Sequence, residues 1–366
     1  MNETLTGLVS HYSPSGQESA AVKWLVERMQ ALGYNKSYVD GAGNAVGVMG
    51  SGARQAVLLG HIDTVPGELP MRVHDGILYG RGTVDAKGPL GAFVDAVAAL
   101  GAVEGWQFVV IGAVDEERDS SGARFVATQY RPDFAIIGEP NHWQRLALGY
   151  KGVAWAELTF LRAQAHSASR HRTASEAALE AWHNIQTYAQ TYNSRKTRTF
   201  DQLLLTLRGM QSDENHLRQR ASLMIDTRLP PEIAPEDWYD LMKKMSGDAE
   251  ITRRSYAVPA WVCDKNTPLV RAFLSAIRGQ GGMPAFVYKT GTADLNTVAP
   301  IWRCPALVYG PGDSALDHTL DERISLDEYQ KAVTVLTAAL MQLMLNENKK
   351  EKDCLILPSV DNPLQA

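Results

Sequence analysis

The chain has 366 residues, 45% of them hydrophobic and 21% charged, the make-up of a globular protein long enough for two or three domain-sized units. Lys and Arg (36) fall short of Asp and Glu (41), and the net charge of −5 argues against a protein that wraps nucleic acid through a basic surface. No apolar run long enough for a membrane span and no basic-then-apolar leader occurs, and Cys263, Cys304 and Cys354 are too scattered for a disulfide framework or a thiolate metal site, so the expected setting is the cytoplasm.

In chain order, the spacing of Ala21, Trp24, Leu25 and Met29 predicts a helix over 15–33, stopped by Gly33. Short apolar runs at 56–59, 107–111 and 134–137 predict strands buried on both faces, with a small-residue helix at 88–100 between the first two. From about Lys151 the pattern changes. An alternating strand at 153–160, a long amphipathic helix at 173–192, strands near 203–207 and 222–228 and a helix at 235–245 give the order of a ferredoxin-like α+β module. Near Asn266 the first texture resumes, with a helix at 268–278, strands at 285–288 and 306–309, and a last helix from 326 to about 345. The expected organisation is an α/β catalytic domain in two parts, 1–150 and 263–346, interrupted by a module at 151–262 and followed by a loosely held tail, 347–366.

Five segments put metal-ligand residue types after buried strands or in glycine-rich turns, where open α/β sheets keep their ligand sites. In Gly60-His61-Ile62-Asp63 the period of a strand turns His61 and Asp63 the same way, so that a carboxylate can take the ring N–H and present the other nitrogen to a metal; a capped strand end is the plain alternative. Asp85 follows the turn Gly80-Arg81-Gly82-Thr83, which lacks phosphate-loop spacing, and it would also serve as a helix cap. The adjacent acids Glu116 and Glu117 follow a buried strand; they suit one metal ligand and one general base, or a solvated acidic loop. Glu139 ends another strand, and His318 lies in the segment 309–319. Two histidines and at least three carboxylates without cysteine suit Zn²⁺ or another borderline divalent ion such as Co²⁺, and a two-metal hydrolytic centre fits best.

GHIDTVPG, GRGTVDAKGPLGAF, DEERDSSGARF, IGEPN, AHSA and GPGDSALDHTLDER together resemble the co-catalytic zinc aminoacylase and carboxypeptidase family, which includes acetylornithine deacetylase and succinyl-diaminopimelate desuccinylase. The similarity runs from about residue 5 to 345 in the family's motif order. It implies a mixed-sheet zinc-peptidase-like catalytic domain carrying a dimerisation or lid module, with two divalent ions per subunit. By the resemblance His61, Asp85 and Glu139 bind one ion, and Asp85, Glu117 and His318 the other, Asp85 bridging. Asp63 orients His61, and Glu116 moves the proton from water to the leaving amine. His166 stands where the family carries a histidine that reaches the partner subunit's active site, which implies a homodimer, although the usual HSS pattern is altered here.

The segment 288–296 and VDAKGPLGAF look most like the branch that releases lysine or ornithine from the terminal Glu side chain of an amino-group carrier protein in lysine or arginine biosynthesis. Thr290, Asp294 and Asn296 are expected to shape the substrate pocket, and Lys289 to meet a substrate carboxylate, a surface lysine being the alternative. Residues 160–220 carry nine Lys or Arg against five acids, a basic patch suited to steering an acidic carrier or merely a solvated face. Small-molecule deacylation, of N-acetylornithine, N-acetyl-lysine or succinyl-diaminopimelate type, is the alternative reaction. A binding protein without catalysis is disfavoured, because a costly cluster of carboxylates has no purpose in it.

Overall fold

A computed structural model describes residues 2–355, with side chains as far as residue 348. The chain is mixed α/β, built on two principal sheets, each with its own core. The larger sheet has nine strands. Its order across the main path is Lys36–Val39, Ala45–Gly50, Trp106–Ala113, Arg54–His61, Phe134–Gly138, Ala306–Val308, Arg145–Tyr150 and Trp261–Val262, and Ala285–Lys289 pairs with Arg145–Tyr150. Trp106–Ala113, Arg54–His61, Phe134–Gly138 and Ala306–Val308 run parallel to one another. Runs such as Val57-Leu58-Leu59 and Val109-Val110-Ile111 are wholly buried because helices cover both faces, the condition under which a strand needs no polar alternation. The helix Lys87–Leu100 lies on this sheet and packs against the last helix, Leu326–Leu355.

The smaller sheet is wholly antiparallel, in the order Leu204–Glu214, Arg218–Leu229, Gly152–Ala163 and Glu250–Val258. With the helices Ala174–Asn193 and Pro235–Met245 it makes the strand-helix-strand-strand-helix-strand order, closed by the strand Glu250–Val258. Alternation along Gly152–Ala163 sends Ala154, Ala156, Leu158 and Phe160 into a core with Ile185, Leu223, Ile225 and Trp238. Thr173 caps the long helix: its hydroxyl accepts the Glu176 N–H at 3.1 Å while its own N–H donates to Glu176 at 2.8 Å. Such a reciprocal cap contributes roughly 0.5–2 kcal/mol.

Two chain crossings join the units, at residues 151–152 and 258–260, and they are packed against each other. A Cβ on Gly152 would stand 2.5 Å from the Val258 carbonyl oxygen and 2.6 Å from the Ala260 nitrogen, so only glycine fits there. Asn296 clamps the pair, its amide donating to the carbonyls of Pro259 (2.8 Å) and Lys151 (3.2 Å).

The last helix overruns its expected end near residue 345. Glu347 meets Arg54 at 3.2 Å and Asn348 accepts the Trp106 indole N–H at 3.0 Å, so polar residues expected in a loose tail find partners beside the sheet. The rest of that expected tail, 356–366, lies outside the described residues.

Candidate metal centre

Because three parallel strands lie side by side, their following loops emerge at one end of the sheet, and each brings an acceptor. His61 is the last residue of its strand; Glu116 and Glu117 follow Trp106–Ala113; Glu139 follows Phe134–Gly138. Asp85 arrives from the turn ahead of the helix Lys87–Leu100, and His318 from the turn after Ser314–Leu316, with its backbone in the left-handed region at φ 62°.

The contacts converge on Asp85. One of its oxygens is 3.0 Å from His61 Nε2 and the other 3.0 Å from His318 Nε2, which also lies 3.1 Å from Glu117. Two donor sets result, His61, Asp85 and Glu139, and Asp85, Glu117 and His318, each with ligand atoms within 4.8 Å of one another. The donor chemistry fits divalent cations: imidazole nitrogen and carboxylate oxygen, with no thiolate. The electrostatics agree. Burial pushes Glu116, Glu117 and Glu139 above the usual carboxylate range, with neighbouring acids adding to it, while hydrogen bonds to Asp85 and Glu117 raise His318 to about 10. A pocket that crowds carboxylates and favours positive charge between them is one that a cation relieves.

Asp63 does more than its expected task. The His61 Nδ1–H points to the Asp63 backbone carbonyl at 3.0 Å, and the carboxylate stands farther off, at 3.5 Å. That carboxylate instead accepts the N–H groups of Glu116 (3.0 Å) and Glu117 (3.1 Å) and the Ser15 hydroxyl (2.7 Å). The carboxylate therefore fixes the loop that presents both glutamates, while the backbone carbonyl of the same residue takes the His61 ring N–H, the task the sequence assigned to the carboxylate. Glu322, inside the quoted segment GPGDSALDHTLDER but not singled out, plays the same part for Asp85: it accepts the N–H groups of Val84 and Asp85 and pairs with Arg81 at 2.8 Å. Its signal was an acid four residues beyond His318 in the same segment.

A cavity of about 690 Å³ opens over the cluster. Lys289 and Thr290 line it from the larger unit, and Val153, Trp155, Arg228 and Tyr256 from the smaller. Lys289 is held by the Pro140 carbonyl at 3.1 Å and the Ser314 hydroxyl at 2.6 Å, and burial lowers its pKa. Arg228 carries only a faint sequence signal, a charged pair with Asp226 two residues before it, directly after the apolar run Leu223-Met224-Ile225.

Two expected pocket residues are not on the cavity wall. Asp294 and Asn296 were read as part of a loop, but they open the helix Asp294–Trp302 and are buried. The Asn296 carbonyl oxygen accepts the Ala293 N–H at 3.1 Å and its amide is spent on the two crossings, which leaves nothing for a substrate. Asp294 is 2% exposed, is absent from the cavity lining, and is pushed up to about 7 by burial. His166 is exposed, donates nothing into the cavity, and accepts the Ala168 N–H at 3.1 Å.

The sequence model of peptidase family M20/M25/M40 matches residues 57–342. The chain belongs to this family. It is a hydrolase of mixed α/β fold, and membership implies divalent metal ions, to which the donor sets answer. Among its relatives, a LysW-lysine hydrolase of Deinococcus radiodurans is 44% identical over 353 residues, covering 93% of this chain and 96% of that protein. A protein of Thermococcus kodakarensis, named as a putative LysW-lysine/LysW-ornithine hydrolase, is 38% identical over 341 residues, covering 93% and 91%. The crystal structure of an M20 family metallo-carboxypeptidase from Sulfolobus solfataricus superposes with a TM-score of 0.74 at 17% identity, covering 93% of this chain and 98% of that one, a likeness of fold. None of the described helices is long and apolar enough to cross a membrane.

Proposed function

We propose that this M20 hydrolase releases lysine, and with it ornithine, from the side-chain carboxyl of the terminal Glu of an amino-group carrier protein, in the cytoplasm. The observation that carries the hydrolytic part is Asp85, equidistant at 3.0 Å from His61 and His318, with the half-buried Glu116 on the same cavity wall. The carrier part is supported by relatives of 44% and 38% identity whose names state that substrate, over nearly the whole of both chains.

In this reading His61, Asp85 and Glu139 hold one divalent cation, and Asp85, Glu117 and His318 a second, Zn²⁺ or Co²⁺. The cations supply Lewis-acid chemistry: they acidify water and offset the negative charge that develops on the scissile carbonyl. Glu116 accepts a proton as water adds to the amide carbon, then returns it to the nitrogen as the C–N bond breaks, leaving a glutamyl carboxylate and a free amine. Burial fits it for this, since a carboxyl raised toward neutrality both takes and gives a proton at working pH. Asp63 holds the backbone of Glu116 and so sets its reach. Lys289 and Arg228 offer two cationic contacts on the cavity wall, matching a substrate with a carboxylate on each side of the bond to be cut.

His166 lies away from this cavity, so its contribution would come from a partner: we propose a homodimer joined through the four-stranded unit, with His166 of one subunit serving the other's site. The basic patch over residues 160–220 would steer an acidic carrier. The test offers metal-loaded enzyme both the carrier-linked lysine and free N-acetyl-lysine. The carrier-linked compound is expected to turn over far faster; preference for the free compound overturns the carrier reading and favours the deacylase.

A further inference from the structure

Apart from the proposed cation ligands and Glu116, the acids lining the cavity are Asp119 and Asp317. Asp119 is engaged, accepting the Ser255 hydroxyl at 3.1 Å. Asp317 is not. Its Oδ1 is buried without a hydrogen-bond partner, and no ion pair reaches it among the described residues. It stands on the same turn as Ser314, to whose carbonyl its N–H donates at 3.4 Å, and the Ser314 hydroxyl holds Lys289. The Lys289 ammonium has three N–H groups and gives two of them to Ser314 and Pro140. A cation and an acid thus share one stretch of wall and feel each other's charge, yet no hydrogen bond or close ion pair joins them, and each keeps hydrogen-bonding capacity for a ligand.

A carboxylate oxygen buried without a partner is costly, and a wall carrying both signs is matched by a ligand with both a carboxylate and an ammonium group. The amino acid released in the proposed reaction has both. We propose that Asp317 receives the side-chain ammonium of the departing amino acid, making it a specificity-determining residue that selects lysine or ornithine over neutral and acidic residues at the same position. This rests on the reaction proposed above. Asp119 is the competing reader, disfavoured because its carboxylate is already occupied.

The experiment compares metal-loaded wild type, Asp317→Asn and Asp119→Asn on γ-glutamyl-linked lysine and γ-glutamyl-linked norleucine, which keeps the carbon chain and lacks the nitrogen. Wild type is expected to prefer the lysine compound by roughly 100-fold or more in kcat/KM, because a site built for a polar group rejects the analogue without it. In Asp317→Asn that preference falls at least tenfold, through KM for the lysine compound, with metal content unchanged. A second variant, Asp317→Glu, extends the acid by one methylene and shifts preference from lysine toward the shorter ornithine. If Asp317→Asn slows both compounds equally or loses metal, Asp317 serves His318 and the proposal is overturned. It is overturned as well if Asp119→Asn is the variant that levels the preference. If wild type hydrolyses the acetylated amino acid and neither γ-glutamyl compound, the proposed reaction itself fails, and the role of Asp317 fails with it.

Discussion

The two units of this chain build one cavity by different means. In the nine-stranded unit much of the donor cluster is held through backbone: Asp63 holds Glu116 and Glu117, Glu322 holds Asp85, and His61 is fixed by the Asp63 carbonyl. The four-stranded unit packs its apolar side chains in its own core and presents Val153, Trp155, Arg228 and Tyr256 to the cavity on strand surfaces, with Arg228 donating across to the Thr292 hydroxyl at 2.9 Å. One unit holds the clustered charge where relaxation would be expensive; the other supplies a wall with the single cation Arg228, and the chain passes between the two at Gly152 and Pro259. Dense buried hydrogen bonding belongs where cations are gripped, and a separately packed wall suffices where a substrate is only positioned.

The largest expected effect breaks the chemistry and leaves that division intact. Glu116→Gln should lower kcat by roughly 10²–10⁴ with metal content unchanged, as measured by steady-state kinetics and elemental analysis. Its pH profile supplies a further check. A base works in its charged form, so a carboxyl raised by burial loses activity on the acid side at a higher pH than an ordinary Glu would; the acid limb of kcat/KM should therefore lie above the usual carboxylate range, near 4.5. Asp63→Asn comes next. It keeps the shape but replaces one accepting oxygen with an NH₂ group, so one of the Glu116 and Glu117 N–H bonds is lost; metal affinity or kcat is expected to fall about 10–100-fold.

Two further changes test the independence of the units. Leu158→Ala removes a fully buried side chain from the four-stranded core and should cost about 2–5 kcal/mol in denaturant unfolding, while metal content of the folded fraction stays at wild type. Loss of metal in step with that unfolding would show that the two units fold as one. Asn296→Ala strips donors from the Lys151 and Pro259 carbonyls and should cost about 1–3 kcal/mol, with KM affected more than kcat. An unchanged KM would show that the crossings do not set the cavity's shape.

How much was readable follows from what each residue answers to. The central strands were legible because runs such as Val109-Val110-Ile111 have only one environment that suits them, a sheet covered on both faces. The donor residues were legible because His and carboxylates directly after such strands have few reasons to be there. The helix Asp294–Trp302 was not, since Pro300 inside it and the glycines before it argue locally for a loop, and burial against the crossings outweighs that preference. Asn296 misled for the same reason: a polar side chain in a glycine-containing stretch looks free until the carbonyls it serves are known to be beside it.

From residue order alone came the α/β character, the strand and helix order of the smaller unit, and the choice of hydrolytic chemistry at His61, Asp85, Glu116, Glu117, Glu139 and His318. The first two rest on local periodicity, which a linear chain carries explicitly; the proposed chemistry rests on residue type together with the family resemblance of the motifs. Only the folded molecule decided that Asp63 grips a loop more than fifty residues away, that Asn296 clamps two crossings, and that Asp317 lines the cavity with one carboxylate oxygen unbonded. Those are relations between segments distant in sequence, and hydrogen bonds and charges act through space, so no local pattern records them.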